Sequence, residues 1–385
     1  MSAHAYLSAS GSHKWLNCSP SAKLESSFPD SGSEYAAEGT LAHELSELKL
    51  RRLNGDIDAK NYEKSVKIVE ADRLFAPSMH EYTDRYVDLV WEKLAAKKAE
   101  NNGQAYLFIE EKLDFGPWVP KGFGTGDAVI VAGDTIEIID LKYGKGVPVS
   151  AENNSQMRLY GLGAYNNFGL LFDFTKVEMT IVQPRLDSIS TELLTLTELL
   201  EWSEKVKVIA EKAIAGEGEY CAGAHCQFCR ASATCRCLAE YNMELAKYEF
   251  AKADVLDDAE VADILLRAAT FTKWIGNIQK HALEAAVNTG KKWPGLKLVE
   301  GRSNRKITDP EKLASILVGE GYAETDVYKP TELRSLTDLE ALTGKKKFTE
   351  LAQGLIEKPE GKPALVPVDD KRPEWAPDDA IIAQF

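Results

Sequence analysis

No run of apolar residues in this 385-residue chain approaches the roughly 20 needed to span a bilayer. The first residues, MSAHAYLSASGSHKW, lack a basic stretch followed by an apolar one, so no export signal is read there and the expected compartment is the cytoplasm, with no membrane partner. Positive charge is also short: 60 acidic side chains against 46 basic ones give a net charge of −14. That balance argues against a broad, sequence-independent nucleic-acid coat, while leaving room for a local positive groove. Internal repeats are absent. Cysteine is missing from residues 19–220; Cys18 stands alone, and the other five of six crowd into residues 221–237. Crowding of that kind in a chain without an export signal favours metal or cluster ligation over disulfides. What remains, 44% hydrophobic and 28% charged residues, is the make-up of a water-borne globular protein.

The periodicities order the chain into helices, strands and helices again. Ser8–Leu24 reads as a short helix with Trp15 and Leu16 inward. Tyr35–Leu53 reads as a helix with Leu41, Leu45 and Leu48 on one stripe, and Val66–Lys98 as a long amphipathic helix carrying Tyr82, Tyr86, Leu89 and Trp91. Short β-rich segments follow at Ala105–Leu113, Gly124–Ala132 and Thr135–Leu141, the last two joined by a tight Gly133-Asp134 turn. A helix is expected over Ser150–Phe168, a strand over Val177–Pro184 and a helix over Leu193–Ala215. Beyond Ala239 come a long helix, Asp257–Asn288, with Leu265, Trp274, Ile278 and Leu283 inward, then a pair of short strands in LKLVEGRSNRKI, small helices, and a Pro- and Lys-rich extended arm. The order predicts an α/β core with a central mixed sheet flanked by helices, and an α+β extension after it.

Chemistry concentrates in GFGTGDAVIVAGDTIEIIDLKYGKG and the helix after it. Asp140 and Lys142 are two apart on a strand and so share a face. Asp127 comes from the neighbouring strand and can bring a second carboxylate beside Asp140. Two such carboxylates suit a hard divalent cation, Mg²⁺ or Mn²⁺, and an adjacent lysine suits phosphodiester hydrolysis. Taken alone, Asp-x-Lys also reads as a surface ion pair. His43, in GTLAHELSEL, adds an imidazole suited to Mn²⁺. Gln156 and Tyr160, four apart, stack on one helical face where they could hold Lys142 or a phosphate. Arg302, Arg305 and Lys306, with Lys345, Lys346 and Lys347, form basic patches that read as solvated surface or as a wall of a DNA channel, with Trp293 or Tyr328 as stacking rings.

The ordered set His43, Asp127, Asp140-x-Lys142 and Gln156-x-x-x-Tyr160 resembles the PD-(D/E)xK (restriction-endonuclease-like) nucleases, in the RecB-type exonuclease branch that includes the iron–sulfur nucleases of CRISPR adaptation and the AddB-type helicase–nucleases. The match spans about residues 35–165, and the chain as a whole resembles an uncharacterised phage and prophage family related to them. The resemblance implies a metal-dependent DNA exonuclease of phage replication or recombination, in the host cytoplasm if phage-encoded. It makes His43, Asp127, Asp140 and the carbonyl of Leu141 metal ligands, Lys142 catalytic, and Gln156 and Tyr160 neighbours of the site. Glu110 or Glu111 would supply a further acid, and strand alternation does not say which. Implied partners are DNA, single- or double-stranded, a phage single-strand-binding or annealing protein, and further copies of the chain. The competing expectation is a non-catalytic DNA-binding or scaffold protein that keeps the fold and a cysteine-bound metal.

Cys226-x2-Cys229-x5-Cys235 offers three thiolates, and Cys18, Cys221 or Cys237 could be the fourth. The resemblance selects Cys18, Cys226, Cys229 and Cys235 for a [4Fe–4S] cluster, with zinc as the alternative. Residues 1–240 are then expected to form the nuclease domain, with a helical region over 1–103, a catalytic core over 104–215 and a cysteine segment over 216–240. Residues 241–385 become a DNA guide or oligomerisation region.

Overall fold

The computed structural model describes residues 5–28, 34–244 and 257–297. Helices α1 (Ser12–Trp15), α2 (Ser21–Glu25), α3 (Glu34–Asn54), α4 (Ala59–Glu70) and α5 (Ser78–Glu100) precede strands β1 (Ala105–Asp114), β2 (Phe123–Ala132) and β3 (Thr135–Leu141). Then come α6 (Ser155–Phe168), β4 (Lys176–Gln183), β5 (Ser188–Thr195), α7 (Leu196–Ala215), α8 (Arg236–Met243) and α9 (Asp258–Thr289). The five strands form one mixed sheet in the order β1-β2-β3-β4-β5, with β3 and β4 parallel and all other neighbours antiparallel. A parallel neighbour requires a crossover, and α6 supplies it between β3 and β4.

Alternation along the strands divides the core into two layers. Val129, Val131, Ile136, Ile138, Val177, Met179 and Ile181 face α6 and α7, and Trp15 and Leu7 join this layer from the chain start. Ala128, Ile130, Ile139, Leu141 and Val182 face the other way, against Tyr86, Val87, Val90 and Leu94 of α5. A further cluster ties α3, α4 and α5 together around Leu45, Val69 and Met79. Helix α6 lies close on β1: a Cβ at Gly163 would stand 3.0 Å from the Leu113 carbonyl carbon, so only glycine admits this approach.

Four expectations change. The Ser8–Leu24 helix is two short ones separated by residues 16–20, and the Val66–Lys98 helix is α4 and α5 separated at residues 71–77. In both cases a proline, Pro20 or Pro77, stands at the helix start, where its fixed φ is tolerated and a continuing helix is not. Leu193, expected to open a helix, lies inside β5. The helix begins at Leu196, marked by a capping box between Thr195 and Glu198. On α9, Trp274 is buried but Leu265 and Leu283 are exposed, so the inward stripe is narrower than the sequence suggests.

By internal contacts the chain divides into Met1–Ala282 and Leu283–Phe385. Of the second unit the described stretch is residues 283–297, where the Lys291 ammonium sits 4.0 Å above the Trp293 ring. The two strands expected in LKLVEGRSNRKI fall outside the described residues beyond Lys297. So do the basic patches at Arg302, Arg305, Lys306 and Lys345–Lys347, Tyr328 and the extended arm.

Glu137 of β3 is fully buried on the α5 face, where Lys93 pairs with it and also reaches Glu178 at 3.0 Å; Lys97 joins Glu178 at 3.2 Å. Burial pushes the Glu137 carboxyl up, and Lys93 opposes that shift. Lys93→Met leaves the carboxylate buried without its cation and is expected to cost about 3 kcal/mol at neutral pH. The raised pKa of an orphaned acid means the deficit shrinks as pH falls and the group protonates. Urea melts of both proteins at two pH values test this; a deficit independent of pH contradicts it.

Candidate active site

The carboxylates converge where the β1–β2 ladder breaks. Ile109 pairs with Ala128 and Glu111 with Gly126, but Glu110 and Asp127 between them do not pair, and Glu110 has φ 52°. A left-handed backbone at a non-glycine residue costs on the order of 1–2 kcal/mol and resets the alternation. Ile109 accordingly faces the α5 layer, while Leu113, four residues on, faces the α6 layer. This break decides between the two candidate acids: Glu110, not Glu111, joins the site. The ligand atoms of His43, Glu110 and Asp127 lie within 4.8 Å of one another.

His43 reaches the group from α3. Its Nδ1 is 3.1 Å from Asp127 Oδ1, and Asp127 Oδ2 accepts the Leu141 N–H at 2.7 Å. Leu141 is fully buried at the end of β3, so its share in the site is played by its backbone. Asp140, one residue earlier, is buried. Lys142 Nζ stands 2.9 Å from its Oδ2, close enough for an ion pair but off the line of a hydrogen bond, so that oxygen keeps lone pairs with no directed donor. The N-terminal turn of α6, capped by Asn154, then closes the group: Lys142 Nζ donates to Gln156 Oε1 at 3.1 Å. Gln156 Nε2 lies 3.3 Å from Asp140 Oδ1 and 3.2 Å from Tyr160 Oη. Gly124 of β2 makes room for Tyr160, since a Cβ there would come within 2.6 Å of its ring. All the residues picked out in the sequence, His43, Asp127, Asp140, Leu141, Lys142, Gln156 and Tyr160, therefore meet at one end of the sheet.

Charges are set against one another here. Burial would lower the His43 pKa, but the Asp127 carboxylate and its hydrogen bond push it up to about 9. Glu110 is pushed up to about 7, first by burial and then by the negative charges of Asp127 and Glu47. Burial also raises Asp140, against the pull of Lys142. Asp127 is lowered: burial works against this, but His43, the Leu141 N–H and Lys142 outweigh it. Burial would lower Lys142, yet the attraction of Asp140 raises it, so the ammonium stays charged at neutral pH. The His43 and Lys142 side chains keep 32% and 27% of their surface open, so the group can be reached from solvent.

Two supporting residues escaped the sequence reading. Arg51 donates to Glu47 Oε1 at 2.7 Å and to the Ile109 carbonyl at 3.3 Å, holding the strand just before the left-handed turn. Tyr86 donates to the Ile139 carbonyl at 3.1 Å beneath the site. The only signal for Glu47 and Arg51 was their spacing of four and eight from His43, one face of α3.

Cys18, Cys226, Cys229 and Cys235 line one cavity with Cys221, His225 and Leu238. His225 meets the Cys221 carbonyl at 2.8 Å through Nε2, and the neighbouring Cys18 thiol is the first cause of its raised pKa. Cys237 turns its thiol to the Tyr220 carbonyl at 3.3 Å. Burial pushes the Cys229 thiol up to about 12 and raises Cys226 as well. Glu25 holds the chain start against this segment, pairing with Lys14 at 2.7 Å and accepting the Arg230 N–H at 2.8 Å.

A family model described as "Protein of unknown function (DUF2800)" matches residues 4–373. Among solved structures, one titled "Crystal structure of SSO0001" is similar at 18% identity over 50% of this chain and 85% of its own, with a TM-score of 0.24.

Proposed function

The chain belongs to the DUF2800 family of proteins of unknown function, and from the site itself we propose a metal-dependent deoxyribonuclease of the PD-(D/E)xK, RecB-like type. The observation that carries this reading is the meeting of His43, Glu110 and Asp127 within 4.8 Å, with Asp140 and the Lys142 ammonium beside them. One imidazole with hard carboxylate oxygens fits Mn²⁺ or Mg²⁺. His43, Glu110, Asp127 and Asp140 would hold the ion, with the Leu141 carbonyl as a further oxygen. A bound cation supplies Lewis acidity toward a phosphate oxygen and a lower pKa for water. The chain's own contribution is placement. Lys142, fixed by Gln156 and Asp140, presents a positive charge where the attacking oxygen and the phosphate would meet, and Tyr160 fixes Gln156. Exonuclease action in phage replication or recombination belongs to the same proposal.

Cys18, Cys226, Cys229 and Cys235 line one cavity and would supply four thiolates to a [4Fe–4S] cluster, with zinc as the alternative.

The test is anaerobically purified protein, examined for absorbance at about 400 nm and incubated with end-labelled single- and double-stranded DNA and Mn²⁺. Mn²⁺-dependent cleavage is expected. Colourless, zinc-containing protein removes the cluster alone, and inert DNA removes the nuclease. The second reading, a DNA-binding or scaffold protein without catalysis, is favoured by the net charge of −14; cleavage by the wild-type chain rules it out.

A proton balance follows. His43 must be neutral to ligate, yet it holds its proton up to about 9, and Glu110 up to about 7. Mn²⁺ affinity should therefore rise with pH across pH 6 to 9, by at most about tenfold per unit for each proton released. Calorimetry in two buffers of different ionisation enthalpy reads that release, and His43→Gln should remove its upper portion.

A further inference from the structure

The two edges of the sheet are built differently. At β1, side chains meet the backbone: Arg51 donates to the Ile109 carbonyl, Asn167 to that of Lys112 and Asn166 to that of Asp114. Glu110, with φ 52°, also breaks the regular course of that strand. Strand β5, at the other edge, has none of these guards. It pairs with β4 in unbroken register and carries no proline, lysine or arginine. Among the described residues, only β4 bonds the backbone of residues 188–194. An edge of that kind offers a row of N–H and C=O groups to a further strand. We propose that β5 pairs with β5 of a second copy of this chain, antiparallel about a two-fold axis at Thr191, joining the two sheets into one. This goes beyond the nuclease reading and does not rest on it.

The side chains of β5 select a copy of itself as the occupant. Ile189 stands opposite Val182, Thr191 opposite Thr180 and Leu193 opposite Glu178, so all three face the α5 layer. Helix α5 leaves them open, with Ile189 and Leu193 each 59% exposed. Apolar, polar, apolar on one face is a pattern symmetric about Thr191. Residues opposite one another in a sheet share a face, so the axis must pass through a residue and not between two. At Thr191 it sets Ile189 against the partner's Leu193 twice, Thr191 against the partner's Thr191, and Ser190 against the partner's Glu192. Every exposed apolar side chain of the strand then has an apolar neighbour, and the two hydroxyls can bond. Moved to Glu192, the axis would oppose two carboxylates; moved to Ser190, it would set Leu193 against Asp187.

Charge does not oppose the pairing, although the chain carries −14. The one charged side chain of β5, Glu192, is turned to the other face, where Arg158 of α6 holds it at 2.6 Å. The association also closes. A two-fold pairing uses the same edge of both copies and leaves the two β1 strands as outer edges. Those are the edges that Arg51, Asn166 and Asn167 guard, so the sheet stops growing at two copies. The axis reverses strand direction as well. The candidate sites, at the Leu141 end of β3, then stand at opposite ends of the joined sheet.

The test is sedimentation velocity of the full chain, purified anaerobically, over a concentration series. A monomer–dimer equilibrium is expected with Kd on the order of 1–100 µM, because one strand pair is at the small end of specific interfaces. Thr191→Lys and Thr191→Glu should each weaken it at least about tenfold, by setting like charges opposite one another. An equimolar mixture of those two variants should recover the lost affinity. Leu171→Lys, at an exposed loop position, should match wild type. Thr191 also meets Thr180, so circular dichroism checks the fold of its variants, and a second pair of variants leaves Thr191 in place. Ile189→Lys/Leu193→Glu puts opposite charges at both flanking pairs and should stay dimeric, whereas Ile189→Lys/Leu193→Lys should be monomeric. Wild-type protein still monomeric above about 100 µM overturns the proposal. So does dimerisation that Thr191→Lys leaves unchanged, a mixture no more associated than its parts, or growth beyond two copies. None of these outcomes depends on whether Mn²⁺ supports cleavage.

Discussion

Lys142→Met is expected to lower DNA cleavage by about 10²- to 10⁴-fold while leaving the fold and Mn²⁺ binding in place. The ammonium has no packing role. Among the described residues it hydrogen-bonds Gln156 and pairs with Asp140, and 27% of the side chain stays open. Its loss strands the buried Asp140, but that carboxyl is already raised by burial, and an ion would take over as its counter-charge. Lys142→Arg should recover little, because a planar guanidinium cannot place one point charge where Nζ stands. Gln156→Ala should fall between wild type and Lys142→Met: the lysine stays but loses the oxygen that aims it. Circular dichroism, Mn²⁺ titration and single-turnover cleavage of end-labelled DNA separate these effects. Wild-type cleavage by Lys142→Met would remove the lysine from the mechanism, and loss of Mn²⁺ binding would mean that it organises the ligands instead.

The features of the site legible in the sequence were those fixed by local periodicity. Asp140 and Lys142 had to share a face at the end of an apolar strand, and Gln156 and Tyr160 had to stack on a helix; both hold. Gly133-Asp134 turned the hairpin as read. What escaped was set by long-range pairing. No alternation rule could choose between Glu110 and Glu111, because a left-handed residue inside β1 shifts the pattern at that very position. Arg51 counted as one charge among many on α3 until the fold set it against the Ile109 carbonyl. Strand β5 hid for a different reason. It is an edge strand with Ile189 and Leu193 facing out, so its apolar residues do not mark a core face. The break between α4 and α5 was legible in Pro77, whose effect on the preceding residue outweighs the apolar periodicity running through it.

The left-handed residue also sets stability against function. Glu110→Gly is expected to stabilise the ion-free protein by about 1 kcal/mol and to weaken Mn²⁺ binding at least about tenfold. Glycine adopts φ 52° without the steric cost, and the gain is partly offset by its greater freedom in the unfolded chain. The substitution also removes a half-buried acid beside Asp127 and Glu47, and this sets the pH dependence. The native-state pKa of Glu110, about 7, lies above that of the unfolded chain, so its ionised form opposes folding. The advantage of the glycine variant should be greatest above pH 7 and shrink toward pH 5, as Glu110 in the wild type takes up its proton. Glu110→Gln separates the two causes: it keeps the strained backbone, removes the charge, and should show the pH-dependent share of the gain alone. Thermal melts across that range without metal, set beside Mn²⁺ titrations, measure both sides. A glycine variant less stable than wild type at pH 8 would mean that Glu110 is held there by contacts worth more than its strain, and that the ladder break serves the fold rather than the ion.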